Sequence, residues 1–262
     1  MNGVNKTLYI PLYGKAYVSR KGIILKDPKA EEIWAKEGFA LGGKSRSKWL
    51  AYYMGMRSAV FDDWLRRQSI HTEDTLVIHI GCGMDSRVQR VGIQNVCWYD
   101  VDFPDVIRER KRYYSETENY HMLEADVRNN AWIADIPKDR RAFVVMEGVS
   151  MYFLPQELKQ LFSALRAHFT EVRILMDCYT TFAANASRFK NPINEVGVTE
   201  VYGMDHPEIL EDGTGFSFVK EHEMTPKAMI DLLNGIEKVI FKTVYAGRIS
   251  KNMYRLYEYR SE

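Results

Sequence analysis

The sequence predicts an α/β fold in which a doubly wound parallel sheet carries helices on both faces, with N-terminal helices before it and an antiparallel edge at its C-terminal end. Three observations predict it. Short apolar runs alternate with amphipathic stretches between about residues 75 and 178. The connections between them are short, and right-handed crossovers then place helices on both faces. The first apolar run ends at Gly81-Cys82-Gly83, a glycine-rich turn at the edge where such sheets bind ligands.

Asp27-Pro28 opens a helix through about Lys36, because Asp caps a helix and Pro suits its first turn. Gly42-Gly43 is a break. Ser45 to Arg67 reads as a longer helix, with Trp49, Tyr53, Met56, Val60, Phe61 and Trp64 near helical spacing. Five buried strands are expected at Thr75–Ile80, Val96–Asp102, Tyr120–Asp126, Ala142–Glu147 and Val172–Asp177. Helices are expected at Pro104–Tyr114 and Pro155–Phe169, the second with Leu158, Leu161, Phe162 and Leu165 on one face. From Thr180 to Glu223 periodicity is lost among Pro192, Gly197, Gly203, Pro207, Gly213 and Gly215. So long a stretch without a pattern reads as an inserted lid. A helix from Pro226 to Asn234 comes next. Lys238–Tyr245 and Met253–Tyr259 read as two strands that form the antiparallel edge. The expected organisation is one domain: a helical cap (1–70), a ligand-binding core (71–178), a lid (179–225), and a C-terminal helix with strands (226–262).

Composition narrows the function. The 262 residues are 46% hydrophobic and 27% charged, enough for a large core without covalent staples. A net charge of +1 gives no basic stripe for phosphate neutralisation, which disfavours a nucleic-acid partner. Cys82, Cys97 and Cys178 are too scattered for a disulfide framework or a metal knuckle, and free thiols point to a reducing compartment. The N-terminus lacks the apolar core of a signal peptide, and no apolar run reaches the ~18 residues of a membrane span. The expectation is a cytoplasmic protein with no membrane or metal partner. The 13% aromatic content is either core filler or a pocket for a planar, apolar substrate.

The chemistry gathers at strand ends. Gly81-Cys82-Gly83 is either a plain tight turn or a loop that lets a ligand approach the backbone. Two ligands compete for it, a dinucleotide and S-adenosylmethionine (SAM). Asp102 suits both, as an acid about 20 residues on that accepts ribose hydroxyls. Ser86 departs mildly from the dinucleotide pattern, and Asp85 departs more. At ~4 Å and an effective dielectric of ~20, like charges repel by about 4 kcal/mol, so a carboxylate in this loop opposes a pyrophosphate. SAM carries a sulfonium and an ammonium and tolerates acids. Asp126 and Glu147 add acids at the next strand ends, Asp126 either to accept an adenine amino group or merely to cap the next helix.

At these residues the sequence resembles the leucine carboxyl methyltransferase family, in its bacterial branch of tetracenomycin-type polyketide O-methyltransferases. The matching stretches are Ile10–Ala16, Met56-Arg57 with Phe61–Trp64, Ile80–Arg87, Trp98–Pro104, Asp126 with Trp132, and Glu147–Phe153. The resemblance implies a Rossmann-like class I SAM-dependent methyltransferase sheet, with S-adenosylhomocysteine (SAH) as product. It implies that Arg57 grips the methionine carboxylate with Lys15 assisting, that Gly81, Cys82 and Gly83 underlie the methionine part, and that Asp102 takes the ribose. Asp126 and the backbone of Val127 would take the adenine, and Glu147 would lie near the amino group. Lys15 stands where relatives often carry Arg, and Ser86 where they usually carry Thr; Lys gives up a bidentate grip.

A carboxylate acceptor, with pKa ~4, is already ionised and needs no general base; a phenol, with pKa ~10, gains from one. His79 falls inside a strand and reads as core. His206 is the available candidate base, with Tyr152 beside it as a weak catalytic candidate, but the matched motifs hold no base, and alignment alone then drives the reaction. Tyr152, Tyr179, Phe182 and Tyr202 either line an acceptor pocket or pack the lid. The expected activity is SAM-dependent O-methylation of a small-molecule natural product, on a carboxylate. The alternatives are a protein or peptide carboxyl methyltransferase and a non-enzymatic SAM- or dinucleotide-binding module.

Overall fold

A computed structural model describes residues 8–37, 43–68, 74–187, 200–247 and 252–261. Pro192 and Gly197 of the expected lid, and Gly42, lie outside the described residues. Among the described residues three helices come first: α1 (Tyr9–Arg20), α2 (Pro28–Glu37) and α3 (Lys48–Arg67). Asp27 Oδ1 accepts from the Ala30 N–H at 2.9 Å, and Ser47 Oγ accepts from Trp49 N–H at 3.3 Å; each side chain satisfies an orphan donor at a helix start.

The core is β1 (Thr75–Ile80), α4 (Arg87–Val91), β2 (Cys97–Asp102), α5 (Pro104–Arg110), β3 (Tyr120–Glu124), β4 (Arg141–Met146), α6 (Pro155–His168) and β5 (Glu171–Tyr179). Among the described residues the sheet has seven strands in the order β3-β2-β1-β4-β5-β7-β6. The first five are parallel, and the order reverses beside β1. Alternate strand residues serve two cores. Val77, Phe143 and Leu175 face the N-terminal helices, whereas Leu76, Ile78, Val144 and Ile174 pack with Leu158, Leu161 and Phe162 of α6.

The antiparallel edge exists, but one partner differs from the sequence expectation. β7 (Tyr254–Ser261) pairs antiparallel with β5 and with β6 (Phe216–Glu221), a strand inside the stretch read as patternless lid. Lys238–Tyr245, read as a strand, is helical: α9 (Gly235–Ile240) continues into one π turn (Phe241–Tyr245). Helical winding puts Phe241 and Tyr245 on one side. Phe241 is fully buried with its ring centroid 6.2 Å from that of Tyr52, and Tyr245 stacks on Trp49 at 5.6 Å. Packing against α3 therefore overrides a β-favouring composition. The helix read at Pro226–Asn234 is a single turn, α8 (Lys227–Ile230). The lid stretch also contains α7 (Thr181–Ser187), which is capped by Thr180 Oγ1 accepting from Ala183 N–H at 3.1 Å.

Candidate active site

The carboxyl ends of β1, β2 and β4 open into a cavity that α1 and α3 cover. Leu8, Ile10, Leu12, Leu50 and Met54 supply its apolar side. Gly81 and Gly83 sit at φ +67° and +52°, where L side chains are strained. Space is as decisive as conformation, because a Cβ on Gly81 would stand 2.7 Å from Val149 Cγ2. The loop is anchored from below: Gly81 N–H donates to Val101 O at 2.8 Å, and Arg110 Nη1 donates to Gly83 O at 2.9 Å.

Asp102 lines the cavity at one end. Its two oxygens accept from the N–H groups of Gly83 and Phe103, each at 2.8 Å. Burial pushes its carboxyl up to about 6, against those two donors. Each oxygen keeps a lone pair for a further donor.

At the other end the charges are paired. Arg57 donates through Nε to Glu147 Oε1 at 3.1 Å and through Nη1 to Asp177 Oδ2 at 2.9 Å. Glu147 also accepts from Ser58 Oγ at 3.0 Å and from Arg87. Burial opposes ionisation of Glu147, but Arg87 and Arg57 prevail and hold its carboxyl down at about 2. Asp177, near the end of β5, accepts from Gly148 N–H at 2.6 Å, and burial raises its carboxyl above the usual range. Gly148 sits at φ +72°, where L side chains are strained, and a Cβ there would meet Arg57 Nη2 at a tight 3.3 Å.

Asp85 corrects part of the electrostatic reasoning. It is not a bare carboxylate: Lys15 Nζ lies 3.1 Å away, Arg90 Nη1 2.8 Å and Arg87 Nη2 3.2 Å. Burial would raise its carboxyl, yet these cations hold it well below the ordinary range. Its repulsion of a pyrophosphate is thereby largely cancelled, so Asp85 does not choose between SAM and a dinucleotide.

Of the residues singled out in the sequence, Lys15, Arg57, Gly81, Cys82, Gly83, Asp102, Glu147, Tyr152 and Tyr179 line this one cavity. The others do not. Asp126 is 41% exposed just past the end of β3, held by Arg128 at 2.7 Å, and Val127 is buried in the core. Tyr202 is half-buried outside the cavity, its N–H donating to Met151 O at 2.8 Å. His206 is exposed and Phe182 is 66% exposed, neither lining the cavity, so the candidate base is misplaced. Asp177 and Tyr254 were not anticipated. Asp177 carried the same signal as its neighbours, an acid near a strand end. Tyr254 carried none, because only the β5–β7 pairing brings its hydroxyl to donate to Tyr179 Oη at 2.9 Å.

The matched motifs and the sheet order agree with the comparisons. The sequence model of leucine carboxyl methyltransferase matches residues 11–166. The chain belongs to the leucine carboxyl methyltransferase family. It is 27% identical over 241 residues to the tetracenomycin polyketide synthesis O-methyltransferase TcmP of Streptomyces glaucescens, covering 91% of this chain and 89% of that protein. It is 25% identical to the S-adenosyl-L-methionine-dependent methyltransferase dpfgK of Gibberella zeae, covering 80% and 78%. Among solved structures, magnesium protoporphyrin IX methyltransferase from Synechocystis with bound SAH superposes with a TM-score of 0.53 at 11% identity, covering 95% of this chain and 97% of that one. This family member is a SAM-dependent O-methyltransferase with the Rossmann-like class I fold. Among the described residues no helix is long and apolar enough to cross a membrane.

Proposed function

We propose that this methyltransferase esterifies a carboxylate of a small-molecule natural product. The observation that carries the proposal is the state of His79, the one histidine among the described residues that lines the cavity. His79 Nε2 lies 3.1 Å from Arg87 Nη1, and its Nδ1 is 3.5 Å from Asp100 Oδ1, too poorly placed for a made hydrogen bond. Burial lowers its pKa and keeps the ring neutral. Its Nε2 is taken by Arg87 and its Nδ1 faces Asp100, so neither nitrogen offers a lone pair to an acceptor's proton. Glu147 and Asp177 are bound to Arg57. Burial pushes the Tyr152 phenol upward, so it stays a donor. An acceptor that arrives ionised suits these surroundings, and a carboxylate does at neutral pH.

The cavity fits SAM with its adenosine at Asp102 and its amino-acid end at Arg57 and Glu147. The Gly81 cradle admits the ligand against the backbone, where any side chain would meet Val149. In this orientation Asp102 would accept the ribose hydroxyls, Lys15 and Arg57 would face the methionine carboxylate, and the adenine would extend past the cavity toward Asp126 and the Val127 backbone. When bound, SAM would supply an electrophilic methyl group for transfer to the acceptor oxygen, with the C–S electron pair kept by sulfur. The chain's residues would act by aligning that oxygen with the methyl group. Tyr152, Tyr179 and Tyr254 would wall the acceptor side, with Leu50 and Met54 adding apolar lining. This aromatic and apolar lining suits a small apolar acid, and the polyketide connection in the name of TcmP agrees.

The test is methyl transfer from methyl-tritiated SAM to a panel of aromatic acids and their phenol counterparts. Methyl ester formed on the acids, released as volatile methanol by mild base, is expected. A base-stable product would refute the carboxylate assignment.

A further inference from the structure

Arg87 has no place in the cavity wall. It opens α4 directly after the glycine loop, its side chain is fully buried, and it does not line the cavity. Its donors nevertheless reach two residues that do. Nη2 contacts Asp85 Oδ2 at 3.2 Å and also Glu147 Oε2, while Nε donates to Asp62 Oδ1 at 2.9 Å. Around it the charges alternate. Lys15 pairs with Asp85, Asp85 with Arg87, Arg87 with Glu147, Glu147 with Arg57, and Arg57 with Asp177. The row crosses α1, the glycine loop, α3 and the ends of β4 and β5. Arg87 joins its two halves.

Such a row is costly as scaffolding. A buried ion pair can often be exchanged for apolar packing without loss of stability. It has a use where a zwitterion must be recognised. The amino-acid end of SAM carries a carboxylate and an ammonium on one carbon, and a cavity wall with alternating cations and acids matches both at once. That match requires Asp85 and Glu147 to keep fixed positions, although each has its own cation competing for it. Arg87 holds both from behind with a single nitrogen.

We propose that Arg87 is a positioning residue for the amino-acid end of the cofactor, fixing the Asp85 and Glu147 carboxylates against which that end is read. The inference rests on the cofactor orientation given under the proposed function.

The test compares SAH with 5′-methylthioadenosine, which shares the adenosine and sulfur but lacks the amino-acid end. Calorimetry of both ligands against the full chain, Arg87→Met and Arg87→Lys gives the discriminating ratio. In Arg87→Met, SAH is expected to weaken about 10- to 100-fold, as when an outer-shell partner is lost, while methylthioadenosine stays within about twofold. Arg87→Lys keeps the charge without the fork and should fall between; it carries the test if the Met variant does not fold. Equal losses for the two ligands would mean that Arg87 only supports the scaffold, and no loss for either would mean that it has no role here. Both results overturn the proposal. Asp102→Ala checks the orientation separately, because it must weaken both ligands; if methylthioadenosine is unaffected there, the orientation fails irrespective of Arg87.

Discussion

Cofactor affinity is expected to depend on pH through Asp102. Its carboxyl sits at about 6 because it is buried, although two backbone N–H groups favour its charged form. The ribose hydroxyls donate best to the ionised carboxylate, so binding pulls the pKa below its value in the free protein. Affinity is therefore full above pH 6 and is lost as pH falls through it. With a free-state pKa of about 6, the ionised fraction falls roughly tenfold between pH 7 and pH 5, and the affinity for SAH falls with it, by about 1.4 kcal/mol. Glu147, held at about 2, stays ionised throughout this window. In Asp102→Asn the new amide cannot accept from both Gly83 and Phe103. One buried donor is orphaned at about 1–3 kcal/mol, and the affinity at pH 7 should fall some 10- to 100-fold. More tellingly, the slope should vanish. Calorimetry of SAH from pH 5 to 8 on both proteins measures it. A flat profile for the natural chain, or an unchanged slope in Asp102→Asn, would refute this role for Asp102.

Gly81→Ala must adopt φ +67°, at about 1–2 kcal/mol, and must also push Val149 away; a lower Tm and at least tenfold weaker SAH binding are expected, with Val149→Ala restoring part of the stability. Asp126→Ala should weaken SAH only about 3- to 10-fold, because the carboxylate is partly exposed and shared with Arg128; a loss as large as that in Asp102→Ala would place the adenine deeper than this partly exposed position. Asp100 and Glu147 are both held at about 2, below their unfolded values of ~3.9 and ~4.3. The stability they contribute is present above about pH 4.5 and lost as pH falls toward 2. Thermal melts should show a Tm that drops steeply over that range, and less steeply in Glu147→Gln.

How much could be read beforehand depended on whether local pattern and tertiary context agreed. Thr75–Ile80 and Pro155–His168 were legible almost to the residue, since continuous apolarity and a one-faced helix each admit one reading. Lys238–Tyr245 was not, because its β-branched and aromatic residues favour a strand unless the α3 face that accepts Phe241 and Tyr245 is known. Phe216–Glu221 was missed although Gly215 and the Phe-Ser-Phe alternation marked it, because a lone five- or six-residue strand has little periodicity. At the site, Gly81, Asp102 and Glu147 were visible as strand-end positions. The pairing that neutralises Asp85 was not, because Lys15, Arg87 and Arg90 approach it from two different helices and no spacing in the chain announces that convergence.

The most direct measurement is a crystal structure with SAH bound. The ribose hydroxyls are expected within hydrogen-bond reach of Asp102, with the glycine loop beneath the sulfur and the amino-acid end between Arg57 and Glu147. SAH in the reverse orientation, or bound away from Asp102 and Gly81, would contradict the assignment of this cavity as the cofactor site.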